Sequence, residues 1–160
     1  MTQFVDMRDE AGLHCKVRIA FINRQPFFRH AFSSPDPIVR TLPRTAESMD
    51  KEIEFLAGLE RRPAVRALVA ALAERVRLNF WGIDIGIGTG DSFLFFEATA
   101  AMSITQAYST QEEHDRLFPV LLEPIHQALS AAVGSPASWD CWAKPSGHGK
   151  QGLDREKAQH

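Results

Sequence analysis

Cysteine is nearly missing from this 160-residue chain: Cys15 and Cys141 stand far apart, with no partner at Cys-x-x-Cys or zinc-ligand spacing. A disulfide framework is therefore not expected, and two ordinary thiols in a reducing cytoplasm are. No run of about 18 apolar residues exists, so no membrane span is expected. Met1 to Asp6 lacks the basic and apolar regions of a secretory leader. A surplus of positive charge is missing too. Lys and Arg number 18 against 20 Asp and Glu, for a net charge of -2. Nucleic-acid backbones are held by clustered, excess Lys and Arg, so nucleic acid is not an expected partner. What is present is a 44% hydrophobic, 24% charged composition. That excludes a wholly disordered chain, and the length suffices to bury a core.

Residues 13–22 alternate and carry Val, Ile and Phe, which predicts a strand; residues 26–33 predict a second. Asn23-Arg24 between them suits a tight turn, because Asn tolerates the left-handed region. Ser33 to Arg44 holds three prolines and is expected to be a loop. A helix is predicted over 45–59, with Met49, Ile53 and Leu56 on one side. Another is predicted over 63–78, with Pro63 in its first turn and Val65, Leu68, Val69, Leu72 and Val76 at the 3.6-residue period. Residues 81–88 and 92–99 predict two further strands. A third helix is predicted over 110–133, started by Thr110 and Glu113, with Pro119 and Pro124 bending or restarting it. The expected fold is α+β: an antiparallel sheet of two hairpins with about three helices on one face. The expected domain is 1–144, with 145–160 a disordered tail poor in apolar residues.

With Gly90-Asp91 as a two-residue turn, Ile83 faces Ala98, Ile85 faces Phe96 and Ile87 faces Leu94 on an apolar side. The other side carries Asp84 across from Glu97, Gly86 across from Phe95 and Gly88 across from Phe93, with Thr99 beyond. Carboxylates directly opposite on paired strands have Cβ atoms about 4.5–5.5 Å apart and repel. A divalent cation would offset this: Mg²⁺ takes hard oxygen ligands, often only one or two protein carboxylates. Gly86 would leave room for a ligand. A solvated face, or a carboxylate pair sharing a proton, offsets it equally well. In the first hairpin, Val17, Ile19, Phe21 and Phe28 share one face, and Lys16, Arg18 and Arg29 the other. Cations for phosphate oxygens beside carboxylates for a metal suit a metal–polyphosphate site, and also an ordinary exposed face with salt bridges. Glycines 86, 88 and 90 do not make a phosphate loop, which leads from a strand into a helix.

The stretch Asp84 to Met102, DIGIGTGDSFLFFEATAAM, resembles the metal-binding hairpin of ATP-grasp proteins of the glutathione-synthetase-like and ribosomal-modification-ligase-like branch. That family's pattern is an Asp, then about a dozen residues, then Glu-x-Asn. Val5 to His30 is similar to the preceding strand pair, and 110–133 to the closing helix. The resemblance covers roughly residues 4–134 and implies the family's C-terminal lobe. It implies ATP and a pair of Mg²⁺ ions, and phosphorylation of a small-molecule carboxylate to an acylphosphate that an amine or thiol attacks. Asp84 would hold one metal and Glu97 would bridge both. Lys16 and Arg18 would neutralise phosphate charge, Arg18 being the catalytic candidate and Arg29 a further phosphate-binding one. The family's Asn is Thr99 here, whose hydroxyl is shorter and differently directed, so this departure falls on the second metal. The family's N-terminal domain and adenine-clamping lobe have no counterpart in the sequence. A second polypeptide would supply the missing lobe, or the chain would be a non-catalytic remnant acting as a structural or partner-binding domain. Phe93 and Phe95 beside Asp84 and Glu97, with Phe27 beside Arg18 and Arg29, would form a surface for that partner or for self-association.

Six histidines are scattered without helical metal spacing. His30 falls on the apolar register and reads as structural; His114 and His126 read as solvated or capping. Ser103 and Ser109 have no His/Asp arrangement for a hydrolase. Trp139 and Trp142, flanking Cys141, are expected to dock that segment onto the core.

Overall fold

A computed structural model describes residues 5–39, 43–90, 92–103 and 110–133. Asp91, Ser109, Trp139, Cys141, Trp142 and the tail 145–160 lie outside the described residues. The architecture is α+β, as the alternation predicts. Strands β1 (His14–Ile22) and β2 (Gln25–Ser34) form the first hairpin, and β3 (Phe80–Ile87) and β4 (Phe93–Thr99) the second. They make one antiparallel sheet in the order β2-β1-β3-β4. Helices α1 (Ala46–Arg61) and α2 (Pro63–Arg75) join the hairpins, and α3 (Gln111–Leu117) and α4 (Glu123–Val133) follow. Among the described residues no helix is long and apolar enough to cross a membrane.

The turns and caps follow local chemistry. Asn23 and Arg24 both have positive φ, 48° and 70°, the pairing that matches a tight hairpin to the twist of its strands. Thr45 and Ser48 cap α1 reciprocally: Ser48 N–H donates to Thr45 Oγ1 at 3.2 Å and Thr45 N–H to Ser48 Oγ at 2.8 Å. Pro63 opens α2, and Thr110 Oγ1 accepts from Glu113 N–H at 3.1 Å at the start of α3. Pro119 and Pro124 cannot donate the usual backbone bonds. Between α3 and α4 the chain widens into a π-turn, Phe118–Leu122, closed by Glu123 N–H to Phe118 O.

That turn changes which side of the sheet is covered. Val17, Ile19 and Phe21 of β1 and Ile83, Ile85 and Ile87 of β3 face α1 and α2, meeting Met49, Leu56, Leu59, Val65 and Val69. Leu117 and Leu121 join this cluster. Leu122 and Ile125 instead pack with Ala20, Ile22 and Met102, on the opposite face of β1. The π-turn lies against edge strand β2, so the final helix carries its apolar side around to the second face. The helices expected on one face therefore hold there through α3, and α4 adds cover to one end of the other. Each fully buried Leu or Ile contributes about 1.5–3 kcal/mol.

Glu52 ties α1 to β2. Its carboxylate accepts from Ala31 N–H at 2.9 Å and from Arg44 at 3.1 and 3.2 Å. Burial pushes its carboxyl above the ordinary value, with Arg44 and the Ala31 N–H offsetting only part of the rise. Glu52→Ala should cost about 2 kcal/mol in urea unfolding, because it strands a backbone donor and a half-hidden guanidinium. Glu52→Gln, which keeps the acceptor for Ala31, should cost less; equal losses would show that the edge bond contributes nothing.

Both hairpins contain a β-bulge that the simple turn counting misses. In β2 the extra residue is Arg29: Ile19 pairs with Phe28, but Arg18 pairs with His30. In β4 it is Phe96: Asp84 pairs with Glu97, but Ile85 pairs with Phe95. In the first hairpin the register moves by one residue past Arg29; in the second it is already displaced by one at the loop and the bulge at Phe96 restores it, and each displaced stretch has its faces reversed. Arg29 is thus not the cross-strand partner of Arg18; His30 is. Phe93 faces Ile87 on the core side, not the Asp84 side, and Leu94 faces Gly86. The second loop runs from Gly88 to Ser92, closed by Gly88 N–H to Ser92 O at 3.1 Å, with Gly90 at φ 62°.

Candidate functional site

The two shifted registers assemble a row of four side chains, one from each strand: His30, Arg18, Asp84 and Glu97. One neighbouring row is Phe32, Lys16, Gly86 and Leu94. The other is Phe27, Ala20, Gly82 and Thr99, which leads into the cluster under α4. The bulges lie on the two edge strands, one beside His30 and one beside Glu97. Bulges concentrate where a sheet re-aims side chains, often at functional sites.

Asp84 is wholly buried, at 0% exposure. Arg18 grips it with both arms of its guanidinium: Nε donates to Oδ1 at 2.7 Å and Nη2 to Oδ2 at 2.8 Å. Lys16 Nζ lies 2.6 Å from Oδ2. Burial acts to raise the Asp84 carboxyl, but Arg18 and Lys16 more than offset it and hold it below the ordinary carboxylate value. The hydrogen bond to Asp84 in turn raises Arg18, with Glu97 adding to the same field. Glu97 is exposed on edge strand β4.

His30 was legible only as a structural residue of the apolar side. The bulge places it on the charged row, half-buried beside Arg18. Burial first, then the nearby Arg29 and Arg18, depress its imidazole to about 3, so it is neutral at physiological pH. Its ring stands 4.4 Å from that of Phe32, over which Arg44 lies at 4.9 Å. The only signal for this in the sequence is the alternation of Lys16 and Arg18, which a shifted β2 would extend to His30.

The remaining expected residues fall around the row. Arg29 occupies the bulge and is buried at 5% exposure. Thr99 pairs with Gly82, one row away from Asp84, and its hydroxyl accepts from Ala101 N–H at 3.0 Å. Gly86 does not leave an open space: a Cβ there would sit 3.2 Å from Phe96 Cζ, so the Phe96 ring takes the position expected for a ligand. Gly82 is similarly roofed by Met102. Phe27 belongs to the apolar cluster with Ala20 and Ile22. The exposed aromatics of the second hairpin are Phe95 and Phe96, each 51% exposed.

No family model, curated protein or solved structure matches the chain.

The donor chemistry of the row is that of a hard cation: two carboxylates in register, with a hydroxyl one row away. Among the described residues no three His, Cys, Asp or Glu side chains gather as a metal group. Asp84 and Glu97 are two carboxylates of the kind Mg²⁺ takes, with water and phosphate oxygens commonly completing such a set, and Asp84 is paired here to Arg18 and Lys16.

Proposed function

We propose that this sheet face binds the polyphosphate of ATP with Mg²⁺, as the metal- and phosphate-holding lobe of an ATP-grasp-type carboxylate–amine or carboxylate–thiol ligase. The observation that carries the reading is the in-register opposition of Asp84 and Glu97, with Arg18 and Lys16 on the next strand. With His30 neutral, these two cations and two carboxylates balance, so the cluster suits a polyphosphate that arrives with its own divalent cation. Asp84 and Glu97 would hold the ion, which when bound neutralises charge on the phosphate oxygens. Arg18 and Lys16 would hold phosphate oxygens and orient them. A second polypeptide supplying the adenine-clamping lobe belongs to the same proposal, as does the small-molecule carboxylate.

A second reading is favoured by one feature: both oxygens of Asp84 are already engaged by Arg18 and Lys16. A closed ion-pair cluster is what a non-catalytic, structural or partner-binding domain would retain.

Thermal melting separates the two. Millimolar ATP with Mg²⁺ should raise the melting temperature by several degrees, since a ligand held 100-fold below its concentration stabilises by about 2.7 kcal/mol. Glu97→Gln should remove most of the rise without altering the ligand-free melt, because Glu97 is exposed. Identical melts with Mg²⁺-ATP and with chelator favour the structural reading.

A further inference from the structure

We propose that Lys16 is a latch on this face: its ammonium closes Asp84 to a cation until a polyanion draws it away. The inference rests on the metal–phosphate reading above and adds an order to it. A carboxylate offers about four lone-pair positions. Arg18 occupies one on each oxygen, at 2.7 and 2.8 Å, and Lys16 takes a second on Oδ2 at 2.6 Å. What remains is one position on Oδ1 of a side chain with no exposed surface.

The two cations are not equally movable. Arg18 is held as a planar two-bond fork and its side chain is 21% exposed. Lys16 makes a point contact at the end of a flexible stem and is 30% exposed. Its neighbours across the sheet are Phe32 and Gly86, which offer no competing charge. A phosphate arriving from solvent therefore meets Lys16 as the mobile cation. Once Nζ swings to it, Oδ2 regains a free position on the residue paired with Glu97, and one positive charge leaves the cation's path. Phosphate binding then raises metal affinity, and by reciprocity metal raises phosphate affinity.

The test uses the full chain, with Mn²⁺ alone as metal probe, read by water-proton relaxation, and tripolyphosphate in EDTA as anion probe. Lys16→Met should bind Mn²⁺ alone about fivefold or more tighter than wild type, the lower bound of ordinary coupling. Lys16→Gln should do the same, with unchanged circular dichroism for both. Equal Mn²⁺ binding by wild type and both variants, or none by any of them, overturns the latch. In the wild type, nitrogen-15 NMR should show the Lys16 ammonium coupled to the Asp84 carboxylate. Metal-free tripolyphosphate should abolish that coupling, and its persistence at saturation also overturns the latch. If Mg²⁺-ATP fails to bind wild type at all, the nucleotide reading fails; if it binds while Lys16→Met gains nothing for Mn²⁺, only the latch does.

Discussion

Asp84→Ala is expected to lower the unfolding free energy by about 3 kcal/mol. The carboxylate is fully buried and neutralises both Arg18 and Lys16. Its removal leaves a guanidinium and an ammonium beside each other without the carboxylate that both contact. Both side chains keep some solvent contact, which sets the expectation at the lower end of the range for broken buried pairs. Replacing the whole cluster should hurt far less: an Asp84→Leu, Arg18→Met, Lys16→Met triple variant removes the charges together and keeps the volume. Urea unfolding at neutral pH measures both, and a loss below about 1 kcal/mol for Asp84→Ala would mean that the cluster is effectively solvated. The pH dependence has a definite sign. The folded-state carboxyl lies below its ordinary value, so its contribution is complete above that value and lost as pH falls through the folded one. The stability gap between wild type and Asp84→Asn should therefore be flat above about pH 5 and shrink below about pH 4.

Trp81→Ala should cost about 3–5 kcal/mol, the range for truncating a buried aromatic. Trp81 is 2% exposed and stacks on Phe21 with ring centroids 4.1 Å apart and planes 6° from parallel. The indole nevertheless carries a polar cost, because Nε1 is buried with no hydrogen-bond partner among the described residues. Trp81→Phe keeps a stacking ring and deletes that donor, so it should cost about 1.5 kcal/mol at most. Chemical denaturation of the two variants decides the matter. If phenylalanine is as damaging as alanine, the lost volume or an indole partner dominates, and the unpaired donor is irrelevant.

The charged row was partly legible. Lys16, Arg18, Asp84, Glu97 and Thr99 all stand on the side of their strands that alternation assigns, because side chains two residues apart share a face whatever the neighbouring strand does. Asp84 opposite Glu97 is correct because the bulge at Phe96 cancels the one-residue shift that the Gly88–Ser92 loop introduces. Two separate causes shift the others: the bulge at Arg29 moves His30, and a loop longer than a two-residue Gly90-Asp91 turn moves Phe93, Leu94 and Phe95. Counting outward from a turn supposes an unbroken ladder, and a bulge is decided by how a strand accommodates its partner's twist and packing. The proline-bearing third helix shows the same division. Its start at Thr110 and its apolar steps are local, but the π-turn that sends Leu121 to one face and Leu122 to the other depends on the sheet edge it wraps.

The sequence by itself determined the four strands, the Asn23-Arg24 turn, the α+β class and the apolar side of each early helix. These follow from alternation, the 3.6-residue period and residues that tolerate unusual φ, all properties of neighbours along the chain. Only the tertiary structure decided that Phe96 roofs Gly86, that His30 joins Arg18, and that Asp84 is buried under two cations. Those are relations between strands, and a one-residue slip in pairing moves a side chain to the opposite face of the sheet without changing a single residue.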